Sequence, residues 1–297
     1  MCATCGCDDE AGPRITVPHA HDLPHGAEHD HEHGHGHGHE HGHGHEHGHG
    51  HEHGHGHGHE HGHGHEHGHG HEHDRAPVQT ETVTLEQQVL AKNDLLAERT
   101  RGWLAGRGVT AINVMSSPGA GKTTLLERTI RELSGSAPIA VIEGDQETLL
   151  DAERIRSTGC AAVQVNTGAG CHLDAQMMHD ALTALDPAPG TLLFVENVGN
   201  LVCPALFDLG EQAKVVLIST PEGTDKPLKY PHIFAVADLV VVNKVDLLPY
   251  VDFELETCVR HAGSVNPGVE VLAVSATTGE GMEAWYRWIA DRRSGRS

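Results

Sequence analysis

The stretch that most constrains this chain is Ser116-Ser117-Pro118-Gly119-Ala120-Gly121-Lys122-Thr123. An apolar run, Ala111 to Met115, precedes it and reads as a buried strand. Thr124 to Ile130 follows and reads as a helix. Strand, glycine loop, Gly-Lys-Thr and helix together make a phosphate-binding loop in its required context. Glycines let backbone N–H groups converge on an anion, and the helix N-terminus adds a favourable dipole. The cradle is expected from Ser117, Gly119, Ala120, Gly121 and Thr124. Lys122 reaches the β- and γ-phosphates, and the Thr123 hydroxyl ligates Mg²⁺. Ser116 departs from the strict pattern, because the first glycine usually stands there. A loop of this kind commits the chain to an α/β fold, a mostly parallel sheet flanked by helices.

Not all of the 297 residues share that composition. Four segments are expected: a Cys-rich metal-binding start (1–18), a disordered His-rich tract (19–76), an N-terminal helix (77–109) and the P-loop domain (110–297). The last two suffice for one domain with a sizeable core. The net charge of -22 argues against a nucleic-acid partner. No run is long and apolar enough to span a membrane, and the start lacks a basic-then-apolar signal pattern. The expected location is cytoplasmic, where seven cysteines serve as thiols or metal ligands rather than disulfides.

The start, Met1-Cys2-Ala3-Thr4-Cys5-Gly6-Cys7, offers three thiolates to one ion. Such a soft set favours Ni²⁺, Zn²⁺ or Cu⁺ over Mg²⁺. From His19 to His73 the chain is mainly His-Gly and His-Glu, and 26 of the 30 histidines lie there. With almost nothing apolar to bury, that tract is read as disordered without metal. Its interchangeable imidazoles suit Ni²⁺, Zn²⁺ and Cu²⁺ storage. Their capacity should fall at about pH 6 as they protonate. Beyond the linker, Thr84-Leu85-Glu86-Gln87 reads as a capping box, opening a helix with Leu85, Val89, Leu96 and Trp103 on its apolar face.

Downstream, chemistry-bearing residues recur just past strand ends. Pro138 to Glu143 reads as a strand delivering Asp145 towards Mg²⁺ and the γ-phosphate, with Glu143 second choice. The strand from Thr191 to Val195 delivers Glu196-Asn197-Val198-Gly199. Glu196 there is a catalytic candidate, and Gly199 is read as a sensor of the γ-phosphate. Cys171, His172 and Cys203 fall on the same side of the sheet. Two thiolates and an imidazole form a soft site one ligand short of closure, which a symmetric dimer can complete. Cys160 and Cys258 read as structural. The loop from Thr220 to Tyr230 is too long for a tight turn and reads as mobile. Asn243-Lys244-Val245-Asp246 supplies a carboxylate that can accept both guanine N1–H and its exocyclic amine. Ser275-Ala276-Thr277 can offer backbone N–H to guanine O6. Adenine cannot match that pair, so GTP and GDP are the expected nucleotides. No arginine finger or certain base is evident, so intrinsic hydrolysis should be slow.

Taken together, these motifs resemble the HypB family of hydrogenase nickel-incorporation proteins over essentially the whole chain. The resemblance implies a GTPase that dimerises with GTP and hydrolyses it slowly. It also implies nickel delivery to a [NiFe]-hydrogenase large-subunit precursor, a HypA-type nickel/zinc protein as partner, and a tight nickel site at Cys2, Cys5 and Cys7. The urease accessory family of UreG is the nearest relative, but that reading leaves the Cys-rich start unaccounted for. Glu196 stands where the general GTPase motif has Asp. Alternatives are service to urease or a zinc enzyme, or a nickel store.

Overall fold

The computed structural model describes residues 14–16, 79–145, 150–168 and 170–295. Cys2, Cys5, Cys7 and the histidine tract lie outside the described residues. Among the described residues eight strands form one sheet: β1 (Arg14–Thr16), β2 (Thr110–Ser116), β3 (Ile139–Asp145), β4 (Ala161–Asn166), β5 (Leu192–Gly199), β6 (Ala213–Ser219), β7 (Leu239–Asn243) and β8 (Glu270–Ala273). Their order is β1-β4-β3-β5-β2-β6-β7-β8. Every pairing is parallel except β1 on β4.

Alternation along the strands sends side chains to opposite faces. Ile112, Val114, Phe194, Val215, Leu217 and Val241 pack on one face with Leu125, Ile130, Ile155, Trp285 and Ile289. Those residues come from α2 (Lys122–Leu133), α3 (Leu150–Arg156) and α8 (Met282–Arg293). Residues of the other parity form two clusters. Ala140, Ile142, Leu193 and Val195 meet α1 (Gln79–Gly106) and α4 (Ala175–Leu185) through Leu104, Met178 and Leu182. Met115, Val216, Ile218 and Val242 meet α6 (Pro231–Ala235) and α7 (Leu255–Val265) through Ile233, Phe234, Cys258 and Ala262. Parallel strands covered on both faces need continuous apolar runs, which β2, β5, β6 and β7 have.

Three expectations change. Helix α1 already runs from Gln79, so Thr84 lies inside it and opens nothing. Its buried face is Asn93, Ala97, Thr100 and Leu104, whereas Val89 and Trp103 are 43% and 36% exposed. The cause is close approach. A Cβ at Gly210 would stand 2.5 Å from the Ala97 carbonyl oxygen, so large side chains cannot face inward there. Asn93 takes the central seat instead, donating to the Asp208 carbonyl and accepting from the Ala175 N–H, both at 2.8 Å. The loop after β6 is also folded. A 3-10 turn, Thr220–Glu222, is closed by reciprocal Ser219–Glu222 capping, and α5 (Lys226–Lys229) follows. The Glu196-Asn197-Val198-Gly199 motif, expected after β5, is its last turn of pleat.

Candidate functional site

The carboxyl ends of β2, β3, β5 and β7 converge on one side of the sheet. There β2 passes through Ser116 into the glycine loop and α2. Gly119 (φ 74°) and Gly121 (φ 95°) hold left-handed backbone that L side chains resist. Gly121 is doubly required, since a Cβ would stand 2.7 Å from Asn243 Nδ2. Ala120 N–H donates to Ser117 O at 3.4 Å, keeping the loop tight. Lys122 Nζ donates to Ser116 Oγ at 3.0 Å. The serine in place of glycine thus gives the lysine a resting partner. Thr124 sits beside Arg154 Nη2 at 3.2 Å, which brings a guanidinium from α3 over the first turn of α2.

Behind the loop lies a pair of buried acids. Thr123 Oγ1 donates to Glu196 Oε1 at 2.8 Å. Glu196 and Glu143 are register neighbours across β5 and β3. Burial, helped by each other's charge in the case of Glu143, raises Glu143 to about 8, while burial raises Glu196 to about 7. Glu196 Oε2 and Glu143 Oε2 are buried acceptors with no donor. Oxygens of this kind beside the Thr123 hydroxyl fit a hard divalent cation such as Mg²⁺. Asp145 ends β3, but β5 separates β3 from the phosphate strand. Glu196 is therefore the carboxylate adjoining Thr123, with Asp145 one strand further out.

The nucleoside end is built by β7 and β8. Asn243 Nδ2 donates to Ala120 O at 2.9 Å, and its Oδ1 accepts from Ala276 N–H at 3.0 Å. Lys244, in left-handed backbone, donates from Nζ to Gly119 O at 2.6 Å. Asp246 Oδ1 is buried without a partner, as a base-reading carboxylate should be. Ser275 N–H donates to Glu280 O at 2.9 Å. Both Ser275 and Ala276 amides, expected to face guanine O6, thus already have protein partners.

The metal candidates meet as their spacing implied. The ligand atoms of Cys171, His172 and Cys203 all lie within 4.8 Å of one another. Cys171 Sγ is 3.6 Å from His172 Nδ1. Cys171 and His172 come from the β4–α4 loop, and Cys203 from a 3-10 turn (Cys203–Leu206) after β5. Burial holds the His172 pKa down despite Asp174, keeping the imidazole neutral and able to ligate. Cys160 and Cys258 are pushed to about 11 by burial, which makes them inert thiols.

Three residues were not singled out from sequence. Phe207 stacks on His172 with ring centroids 3.9 Å apart, fixing the imidazole plane. Asn200 Nδ2 donates to Cys171 O at 3.3 Å and Asn200 Oδ1 accepts from Val202 N–H, tying the two metal segments together. Glu222 accepts from Ser117 Oγ and pairs with Lys226 at 3.5 Å, fastening the phosphate loop to β6. Asn200 had a signal, its place between Gly199 and Cys203. Phe207 and Glu222 had none beyond chain proximity.

The CobW/HypB/UreG nucleotide-binding domain family matches residues 110–273. A hydrogenase maturation factor HypB of Escherichia coli K12 is 56% identical over 215 residues, covering 72% of this chain and 74% of that protein. The crystal structure of HypB from Archaeoglobus fulgidus superposes with a TM-score of 0.65 at 40% identity, covering 68% of this chain and 99% of that one. HypB from Helicobacter pylori in complex with nickel gives 0.64 at 35%, covering 69% and 97%. Among the described residues, no helix is long and apolar enough to cross a membrane.

Proposed function

The chain belongs to the CobW/HypB/UreG family, among its HypB hydrogenase maturation factors, and from that premise we propose that it is a GTP-hydrolysing nickel metallochaperone. In this reading it delivers Ni²⁺ to the [NiFe]-hydrogenase large-subunit precursor, works as a GTP-dependent homodimer, and takes a HypA-type nickel/zinc protein as partner. One observation carries the reading: a Cys171/His172/Cys203 cluster whose Cys203 lies just past the strand that bears Glu196 and Gly199. The soft donor set accepts Ni²⁺ or Zn²⁺. The nickel complex of HypB from Helicobacter pylori supports nickel as the cargo.

At the phosphate the work is positioning and charge neutralisation. The loop amides and Lys122 hold the β- and γ-phosphates. Thr123 and Glu196, with Asp145 further out, hold Mg²⁺, which when bound neutralises charge developing on the phosphates. Asp246 reads guanine. Gly199 lies close enough to the loop that a Cβ there would stand 3.1 Å from Pro118 Cα, so in this reading a change at the γ-phosphate moves β5's exit and Cys203 with it. That is the differential contact coupling requires. With no arginine assigned to the γ-phosphate, turnover is slow and serves as a switch.

The test is a titration of GDP and of a non-hydrolysable GTP analogue into metal-free and Ni²⁺-loaded protein. Coupling predicts at least about a fivefold difference in one affinity, and equal values refute it. Lys122→Ala should abolish turnover and leave the tract's nickel capacity intact. Loss of both would refute the separation of modules.

A further inference from the structure

The loop after β8 uses nearly all of its own amides. Ser275 N–H donates to Glu280 O at 2.9 Å, and Gly279 N–H to Ser275 O at 2.8 Å. Ala276 N–H donates to Asn243 Oδ1 and Thr278 N–H to Ser275 Oγ, both at 3.0 Å. Glu280 N–H reaches Thr278 Oγ1 at 3.3 Å. Among the described residues, the exposed Thr277 has no acceptor for its N–H. Arg128 explains where that N–H points. From the middle of α2 its Nη1 donates to Ala276 O at 3.2 Å and to Thr277 O at 3.1 Å. Ala276 O and the Thr277 N–H belong to one planar trans peptide, so they point opposite ways. Holding the carbonyl against α2 therefore aims the N–H away from it. The loop is shaped around this guanidinium: a Cβ at Gly279 (φ 92°) would collide with Arg128 Nη2. Arg128 Nε is buried without an acceptor, so the side chain is held at its tip. The same loop is tied to the base-reading segment through Ala276 on Asn243 and through Val245 N–H on Val274 O at 3.2 Å. Two adjoining loops thus present an unpaired donor, Thr277 N–H, and an unpaired buried acceptor, Asp246 Oδ1. Guanine offers the complement, an acceptor at O6 beside its N1–H and amine donors.

We propose that Arg128 sets the guanine preference from outside the base pocket: by gripping the Ala276 and Thr277 carbonyls it turns the Thr277 N–H onto guanine O6. Arg128 is a positioning residue and does not touch the nucleotide. The proposal rests on the reading of Asp246 as the partner of guanine N1–H and its amine, and it adds the second half of the recognition. Thr277 reads O6, because the Ser275 and Ala276 amides are already engaged within the fold. Adenine carries an amine at that place, so a fixed N–H meets a donor and the wrong base is rejected twice. Without the guanidinium, the exposed Ala276–Thr277 peptide turns its N–H to water, and the O6 contact is lost while those of Asp246 stay. Arg128 also lies on the helix that begins with Lys122 and Thr123. One rigid element therefore carries the phosphate ligands at its start and fixes the base loop from its middle.

The test is calorimetric titration of the full-length protein, in Mg²⁺, with three probes. GDP is the reference, inosine diphosphate lacks the exocyclic amine that Asp246 takes, and 6-thio-GDP replaces O6 by sulfur, a weak acceptor. The parent should bind GDP more tightly than either analogue. Arg128→Ala should shrink the preference for GDP over 6-thio-GDP about two- to tenfold, the contribution of one neutral hydrogen bond. Its preference for GDP over inosine diphosphate should stay within about twofold of the parent's. Arg128→Lys keeps the stem and the charge but offers a point donor in place of a fork. Its 6-thio-GDP preference should fall between those of the parent and Arg128→Ala, and it decides alone if the alanine variant does not fold. A merely structural role for Arg128 would weaken all three probes together and leave both preferences as in the parent. That result in every variant that folds overturns the proposal, as does a parent that binds GDP and 6-thio-GDP equally. Failure of the guanine reading shows separately, as a parent that binds GDP and inosine diphosphate equally, and it takes the proposal down with it.

Discussion

Replacing Gly199 by Ala isolates the contact between β5 and the phosphate loop. Gly199 pairs with Ser116 at the irregular end of the β2–β5 ladder. A Cβ there would stand 3.1 Å from Pro118 Cα and 3.2 Å from Pro118 N. Gly199 is not among the positive-φ residues, so alanine adds no backbone strain. The whole cost is steric, and the obstacle is backbone that cannot rotate aside. Overpacking of this size costs about 1–3 kcal/mol. The part that yields is the loop, whose geometry nucleotide binding needs, so the cost should emerge as affinity. Affinities for GDP and GTP should fall about 5- to 150-fold. Gly144→Ala is the matched control. Its Cβ would stand 2.8–3.0 Å from the Leu173 side chain, away from the loop. That variant should lose stability and disturb the neighbouring His172, with nucleotide affinity within about twofold of the parent. Fluorescent-nucleotide titration and urea unfolding of both variants decide the matter. Unchanged nucleotide affinity in a folded Gly199→Ala, or an equal loss in Gly144→Ala, refutes the reasoning.

Asp246→Ala should weaken GTP binding about a hundredfold and narrow the preference for GTP over ATP, measured by competition; an unchanged GTP-to-ATP preference in a folded variant would show that Asp246 does not read the base. Phe207→Ala frees the His172 ring and should lower nickel affinity at the Cys171/His172/Cys203 site about two- to tenfold, while GDP affinity of the metal-free protein stays put. Glu143 and Glu196 keep protons in the fold, up to about 8 and about 7, that the unfolded chain has released by pH 6. Their stabilising contribution is full below the unfolded value of 4.5 and is lost as pH rises through 7 to 8. Urea unfolding of nucleotide- and metal-free protein should therefore show stability falling from pH 6 to 9, and Glu143→Gln should flatten that slope; identical slopes would refute the assignment.

The phosphate loop, the parallel sheet and the Cys171/His172/Cys203 convergence were legible because each rests on a local rule. Gly-Lys-Thr must follow a strand, apolar runs must be buried on both faces, and residues just past parallel strands share an edge. What escaped was set by packing between distant segments. The buried face of α1 was misread because Gly210 forbids bulk and Asn93 finds partners at Asp208 and Ala175, far along the chain. Strand β1 escaped because three residues carry no period, and only Ile15 marks its inward side. The neighbour of the phosphate strand was not legible either, because strand order is not written in chain order: β5 inserts between β3 and β2. Its carboxylate Glu196 thereby reaches Thr123 first.

Strand β5 also explains why the two candidate sites sit where each can feel the other. Within eight residues it and its exit present Glu196 to Thr123, Gly199 to Pro118, Asn200 to the Cys171 carbonyl, and Cys203 to the metal cluster. A strand hydrogen-bonded on both sides by β2 and β3 cannot stretch, so strain at one end travels along it as a shift of register or of the exit turn. The register break between Val114 and Ser116 lies at that end, where the ladder is already loosened. In the proposed coupling, Gly199–Cys203 is the segment free to shift, since it lies at and beyond the end of the paired ladder. Phe194 and Val195 stay fully buried in the core, so such a shift would act on the donor atoms that lie within 4.8 Å of one another. By reciprocity, three ligands drawn together by a metal pull Cys203, and through it Gly199, towards one position against Pro118. Metal and nucleotide then select the same arrangement or opposed ones, and the sign of the nickel effect on GTP affinity tells which.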